Sequence, residues 1–305
     1  QIKRKKVYID MAFNIATAFE QFCKNLRFSN DTLATISGRY HSITKRINID
    51  YWGISSETAH SLYVGSYGRD TEIRTSDIDM LVQLPYETYK KFDAYSSNGQ
   101  SALLQEVKKV IEKTYSATEL KADGQIISVF FSDGINFEVL PAFINQDGSS
   151  YTFANSNDGG SWKTTDPRAE IAAIQEMNKQ CNSNLKKLCK MARAWRDKNT
   201  VDISGILLDI LSFNFISTWE YRDQSYIYYD WMTRDFLKYV SEQPTSQNRW
   251  KVMGSNRYIT CFGSFQSKAK TSYKKALKAI EDEKKYPLSA NWEWREIYGS
   301  KFPIL

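Results

Sequence analysis

The chain has 305 residues, of which 42% are hydrophobic and 14% aromatic, a composition that suits one large or two moderate folded domains and excludes a disordered chain. The formal net charge of +6 fits a polyanionic ligand such as a nucleotide but falls short of a dedicated DNA-binding protein. Four cysteines without C-x-x-C spacing and two histidines without ligand spacing indicate neither a disulfide framework nor a zinc site.

Hydropathy indicates no membrane segment. No apolar run approaches 18 residues, and the basic start "QIKRKK" is not followed by the apolar stretch of a secretory signal. The sequence therefore predicts a soluble protein of the cytoplasm that does not bind membranes.

The first half of the chain mixes helical and strand patterns. Helical spacing runs over residues 7–26 (Ile9, Ala12, Phe13, Ala16 and Phe19 on one face), 31–52 and 101–115 (Leu103, Val107, Val110 and Ile111 inward), and strand patterns run over 79–84, 124–131 and 135–143. The last two strands are joined by a Ser-Asp-Gly turn. This order predicts an α+β core.

Residues 146–166 are rich in Gly, Ser, Asn and Asp, which predicts a loop at a domain boundary. We therefore expect two domains, 1–165 and 166–305. Helical patterns dominate the second, over 182–199 (Leu185, Leu188, Cys189, Ala192 and Trp195 opposite Lys186, Lys190, Arg193 and Asp197), 202–221, and 264–285 (Ala269, Tyr273, Ala276, Leu277 and Ile280 inward).

Two carboxylates, Asp77 and Asp79, stand at the start of an apolar strand. Side chains on a strand alternate between faces, so both carboxylates point the same way, and Ile78 and Met80 point the other way. Such a pair is costly without a cation, and Mg²⁺ favours carboxylate and phosphate oxygens. A solvated pair in a loop is the alternative.

A Gly-Ser pair, Gly65 and Ser66, precedes the two aspartates. Glycine lets the backbone turn sharply beside a ligand, and amides at such a loop favour phosphate. The pair alone is weak evidence, and its spacing to the aspartates strengthens it.

A third acid, Glu138, lies within the apolar strand pattern "INFEVLPAF". If this strand neighbours that of Asp79, Glu138 completes a three-carboxylate cage for two metal ions roughly 3.5–4 Å apart, as used for in-line nucleotidyl transfer. An edge-strand acid that faces water is the alternative.

The stretch "GSYGRDTEIRTSDIDMLV", followed by "INFEVLPAF", "GSWKTTDP" and "WEWREIYGSKFP", resembles the bacterial cGAS/DncV-like nucleotidyltransferases, the CD-NTases of the polymerase-β-like superfamily. The resemblance spans most of the chain. It implies a mixed-sheet catalytic lobe, a C-terminal helical lobe and an active site in the cleft between them.

The resemblance also implies roles for individual residues. Asp77, Asp79 and Glu138 would be catalytic and hold two Mg²⁺ ions, with Mn²⁺ as an alternative, and Gly65 and Ser66 would contact the donor triphosphate. The family's phosphate-contacting Lys and Ser match Lys190 and Ser204 best. The third acid is usually Asp in this family, so Glu138 is a departure that puts full activity in question.

The activity implied is synthesis of a cyclic di- or trinucleotide, such as a cGAMP-type product, from ATP, GTP or both, with pyrophosphate release. Such a messenger acts on a separate effector protein in CBASS-type anti-phage signalling, and we expect a monomer that needs no nucleic acid. Two alternatives remain: transfer to an RNA or protein acceptor, and a weakly active nucleotide-binding protein. For Lys190 and Ser204 the alternatives are a solvated cation and a helix cap.

Overall fold

The computed structural model describes residues 14–74, 77–261 and 263–304. Within these ranges the helices are α1 (Ile15–Asn25), α2 (Asn30–Ile47), α3 (Gly65–Gly68), α4 (Tyr86–Asp93), α5 (Gly99–Glu112), α6 (Pro167–Gln180), α7 (Asn184–Asn199), α8 (Gly205–Thr218), α9 (Tyr229–Ser241), α10 (Gln266–Asp282) and α11 (Pro287–Tyr298). The strands are β1 (Ser61–Tyr63), β2 (Ile78–Gln83), β3 (Glu119–Asp123), β4 (Ile126–Phe130), β5 (Phe137–Ile144), β6 (Tyr151–Asn155), β7 (Ser161–Thr165), β8 (Arg249–Lys251) and β9 (Tyr258–Thr260). The predicted α+β class is confirmed.

Strands β1 to β7 form one mixed sheet in the order β1-β2-β5-β4-β3, with β6 pairing with both β5 and β7. The β2–β5 pair is parallel and the other pairs are antiparallel. The long strand β5 pairs with β4 through its first half and with β6 through its second. β2 and β5 are therefore the central strands of the sheet.

Alternation along β2 divides its side chains between two apolar clusters, as predicted. Ile78, Met80 and Val82 join the core under α2 and α5, whereas Leu81 belongs to a small cluster on the opposite face. Asp79 alternates with these buried neighbours and is only half-buried. The strand thus fixes the face to which this carboxylate points.

A second layer is built from helices. α1 and α6 to α11, together with the β8–β9 hairpin, share one large core. We call this part the helical layer, and β1 to β7 with α2 to α5 the sheet layer. The buried face of α1, including Phe19 and Phe22, packs in the helical layer, so the chain enters that layer, leaves it for the sheet layer and returns at α6.

The predicted helix over residues 7–26 corresponds to α1 from Ile15. Its earlier part, including Ile9, Ala12 and Phe13, lies outside the described residues. The predicted helix over 31–52 is α2, extended by a π-helical turn at Asn48–Trp52. The remaining predicted helices and strands are also present.

The predicted loop over residues 146–166 is wrong, because most of it forms the β6–β7 hairpin. Most of its polar residues lie in the connections and on the exposed face, while Tyr151, Phe153, Ala154 and Asn155 are buried. Three apolar side chains were too weak a pattern to recognise among so many turn-forming residues. The domain boundary at residues 165 and 166 stays a prediction.

The inward face of α10 also differs from the prediction. Ala269 and Ala276 are buried as expected, but Leu277 is 43% exposed and Ala279 is fully buried instead. A close helix–helix contact accepts the small side chain and leaves the larger one outside.

None of the described helices has the length and apolar character needed to span a membrane.

Candidate active site at the β2–β5 strand pair

Two predicted site carboxylates face each other across the centre of the sheet. Asp79 on β2 and Glu138 on β5 are register partners in the parallel pair, and their side chains are hydrogen-bonded to each other. The condition under which Glu138 would join Asp79, namely that their two strands are neighbours, is therefore met.

The pair is electrostatically unfavourable in the absence of a cation. Burial, reinforced by the charges of Asp79 and Asp77, raises the pKa of Glu138 to about 7. Burial also raises the pKa of Asp79, although the bond from Glu138, the charge of Arg69 and the Ser66 amide oppose this. Both carboxyl groups are therefore harder to ionise than free ones, and a divalent ion in contact with both would relieve this cost, so this donor set fits such an ion.

Asp77 lies just before β2 and is exposed. Its Oδ1 accepts a long hydrogen bond from Asn136 Nδ2 at 3.4 Å, and it lies close enough to raise the pKa of both other carboxyls. Within the described ranges, no three His, Cys, Asp or Glu side chains converge as a ready metal site. The three-carboxylate cage stays a prediction. Two of its members, Asp79 and Glu138, face each other in the structure.

Gly65 and Ser66 lie directly against Asp79. Gly65 begins the short helix α3 with a φ of +58°, and an added Cβ there would stand 1.9 Å from Asp79 Oδ2. The Ser66 main-chain N–H donates to the Asp79 carboxylate. Only glycine fits this left-handed position beside the carboxylate, so the structure brings the Gly-Ser pair and the Asp-x-Asp motif together.

Lys190 does not lie on a solvated stripe. It is buried on α7, and its Nζ donates to Asp70 and Glu72, each at 2.9 Å. Burial opposes charge on Asp70, but Lys190 and Lys186 hold the pKa of that carboxyl below its usual value. The solvated-cation alternative is wrong for Lys190, and its predicted phosphate contact would compete with these two ion pairs.

Ser204 is exposed and caps α8, because its Oγ accepts from the Leu207 N–H at 3.3 Å. The cap alternative for this residue is therefore confirmed. The same hydroxyl also forms a hydrogen bond with Cys261 Sγ at 3.3 Å, in which either atom can donate, and the predicted phosphate contact of Ser204 stays a prediction.

A buried charged network, which was not predicted from the sequence, lies beside α3. Arg69, Asp209, Arg193 and Glu170 are all at most 6% exposed and are joined by ion pairs. Arg193 was predicted on the face opposite the core of α7, and this is wrong because Asp209 compensates its charge. A lone acid in the apolar helix "GILLDILSFNFIST" was the available signal, since such an acid needs a buried partner.

The pKa of Glu138 predicts a pH dependence for the metal-free protein. The folded state holds a proton up to about pH 7 that the unfolded chain releases near pH 4.5, so stability is lost as the pH rises through this window. Glu138→Gln should therefore raise the free energy of unfolding by about 1–2 kcal/mol at pH 8, allowing for solvent screening, and by little at pH 4. Denaturant titrations in EDTA at both pH values measure this.

Glu119→Gln on the exposed end of β3 is the control for the loss of a negative charge. It should change stability equally little at both pH values. Equal stabilities of wild type and Glu138→Gln at pH 8 would contradict the strained carboxyl pair.

The parallel strand pair, the facing acids and the Gly-Ser turn beside them form the arrangement that is expected of a nucleotidyltransferase of the polymerase-β-like class. The family model described as Second Messenger Oligonucleotide or Dinucleotide Synthetase domain matches residues 13–178. The chain belongs to this family. The predicted membership among the bacterial cGAS/DncV-like nucleotidyltransferases is therefore confirmed. The predicted general activity, synthesis of a cyclic oligonucleotide, is confirmed as well.

A cyclic AMP-AMP-AMP synthase from Acinetobacter sp. is 22% identical to the chain over 306 residues, which cover 95% of this chain and 86% of the synthase. The structure of the Vibrio cholerae DncV cyclic AMP-GMP synthase superposes with a TM-score of 0.68 at 12% identity, covering 93% of this chain and 97% of that one. Escherichia coli CdnC with ATP gives a TM-score of 0.65 at 14% identity, covering 94% and 98%. The two structures support the fold class.

Proposed function

We propose that the protein condenses two or three nucleoside triphosphates, with ATP and GTP as substrates, into a cyclic oligonucleotide in a Mg²⁺-dependent reaction. The observation that carries this is the Asp79–Glu138 pair, which lies over the Gly65–Ser66 turn. The relatives named above as cyclic AMP-AMP-AMP and cyclic AMP-GMP synthases and the complex of CdnC with ATP support the substrate class.

Asp79 and Glu138 would hold the divalent ions together with Asp77, which is near enough to join them on ion binding. When bound, two Mg²⁺ ions, or Mn²⁺ in their place, would supply charge stabilisation at the attacking and leaving oxygens. The family-wide use of divalent ions and the raised pKa values of Asp79 and Glu138 support this assignment.

The residues around the pair would position the reaction. The oxygen of a ribose hydroxyl attacks the α-phosphorus in line, a new P–O bond forms, and the bond to pyrophosphate breaks. Glu138 would accept the hydrogen bond of the attacking hydroxyl and help to take its proton. The departure from Asp lengthens this side chain by one methylene, and its position opposite Asp79 supports its competence.

Phosphate binding would fall to Gly65 and Ser66, because the turn that they form lies against Asp79. Lys190 would contribute by exchanging one of its two carboxylate partners for a phosphate oxygen, and Ser204 through its exposed hydroxyl. The protein would act as a cytoplasmic monomer, and its product would bind a separate effector protein in CBASS-type anti-phage signalling.

The test is incubation of the protein with labelled ATP, GTP, CTP and UTP, with Mg²⁺ or Mn²⁺ and with EDTA. We expect phosphatase-resistant products that mass spectrometry identifies as cyclic, together with pyrophosphate release. Glu138→Ala should abolish them, whereas Glu138→Asp retains them because it keeps the carboxylate.

Other results of this experiment would favour a different function or a different site. Transfer that requires an added RNA or protein acceptor would favour acceptor modification. Metal-dependent nucleotide binding without pyrophosphate release would favour a weakly active binding protein. Equal product yields from wild type, Glu138→Ala and Glu138→Asp would remove Glu138 from the site.

A further inference from the structure

Asp209 is the most enclosed charge next to the candidate site. It lies on the apolar helix α8 and is 0% exposed. Its carboxylate accepts from Arg193 Nη1 and Nη2 at 2.5 and 3.0 Å, from Arg69 Nε at 3.0 Å and from Thr71 Oγ1 at 2.9 Å. Burial alone would raise the pKa of Asp209, but the two guanidinium groups hold it below its usual value.

Two of these donors come from the segment that follows Ser66. Arg69 is the C-cap of α3, and Thr71 donates its main-chain N–H to the Ser66 carbonyl at 2.9 Å. Ser66 in turn donates its N–H to Asp79. A continuous chain of hydrogen bonds thus runs from Asp209 in the helical layer through Thr71 and Ser66 to Asp79 in the sheet layer.

A second buried acid supports the same segment. Glu170 on α6 is 3% exposed and accepts from Arg69 Nη1 at 3.3 Å and from Arg257 Nε at 2.9 Å. Arg69 is therefore held from two helices at once. Replacing buried ion pairs by apolar groups is often neutral or stabilising, so stability alone does not explain such an arrangement.

We propose that Asp209 is a positioning residue that holds the Gly65–Ser66 turn against Asp79 through Arg69 and Thr71. The inference rests on the proposed function, because the turn is assigned there to the triphosphate. The helical layer thereby sets the geometry of a site whose acids all lie in the sheet layer. Small displacements of a positioned group are costly in nucleotidyl transfer, where catalysis consists mainly of alignment.

Thr71→Val is the sharpest test, since it removes one hydroxyl from a fully buried position and keeps the shape and the ion pairs. Thr233→Val is the matched control: Thr233 is 1% exposed, and its hydroxyl forms a hydrogen bond within the helical layer, with Tyr298 Oη at 2.8 Å. The melting temperatures of both variants should fall by similar amounts. Thr71→Val should lower kcat about tenfold and Asp209→Asn about a hundredfold, with Thr233→Val unchanged.

Hydrogen exchange of the metal-free, nucleotide-free protein provides a readout that does not depend on activity. We expect faster exchange of the amides of residues 64–71 in Thr71→Val and Asp209→Asn and wild-type exchange there in Thr233→Val. Equal exchange in this segment, or equal kcat, for Thr71→Val and Thr233→Val would overturn the proposal. If the wild type makes no product, the proposed function fails, while the exchange comparison still decides whether Asp209 holds the turn.

Discussion

Asp79→Asn should reduce product formation by about 10³-fold or more while leaving the metal-free protein at least as stable as the wild type. The amide keeps the size of the side chain but loses the charge that a divalent ion needs, and loss of several kcal/mol of charge stabilisation corresponds to this factor. Stability is maintained because the substitution relieves the desolvation that raises the pKa of Asp79. Initial rates of pyrophosphate release and EDTA-treated melting curves measure the two effects.

Asp123→Asn is the matched control for Asp79→Asn. Asp123 ends β3, where its side chain is 68% exposed and paired with Lys121, so both activity and stability should stay at wild-type levels. An Asp79→Asn enzyme with undiminished rates, or one that is inactive only because it is unfolded, would contradict the assignment of Asp79 to the reaction.

Gly65→Ala should reduce activity by at least about 10²-fold. The new Cβ would overlap the carboxylate, 1.9 Å from Oδ2 and 2.4 Å from Cγ of Asp79, so the turn and the carboxylate must move apart and the alignment of both is lost. The positive φ adds about 1 kcal/mol of backbone strain. Rates at saturating nucleotide and thermal melting report the two contributions separately.

Gly53→Ala separates strain from steric overlap. Gly53 has a φ of +67°, close to that of Gly65, but nothing lies within 4 Å of an added Cβ. It should therefore lose about 1 kcal/mol of stability and retain full activity. Equal activities of Gly65→Ala and Gly53→Ala would show that the close approach to Asp79 has no part in catalysis.

The sequence was sufficient to predict the centre of the site because the strand pattern carries its geometry. Alternation placed Asp79 opposite the core-facing Ile78 and Met80, and the isolated acid in the apolar strand pointed to Glu138. The structure aligns the two acids as register partners. These features follow from the period of a strand, which a single chain displays directly.

Features that depend on contacts between distant segments could not be predicted from the periodicity of the sequence. Lys190 and Arg193 occupy the polar stripe of an amphipathic helix, yet both are buried because Glu72 and Asp209 reach them from other elements. Leu277 was expected to face inward but is exposed, whereas Ala279, which was not in the predicted set, is buried. Helical periodicity gives a face its polarity but does not reveal what covers it.

The aromatic contacts of α1 with α11 and with Phe302 have a consequence for how the protein is made. Phe19 lies 5.0 Å from both Trp294 and Phe302 between ring centroids, and Phe22 lies 4.5 Å from Tyr298, so segments near the two ends of the described chain complete one core. During translation the sheet layer can pair its strands early, but this core waits until residue 302 has been synthesised. A nascent chain therefore carries its acidic pair before the layer that supports the Ser66 turn is complete, and interrupted synthesis should yield no active enzyme.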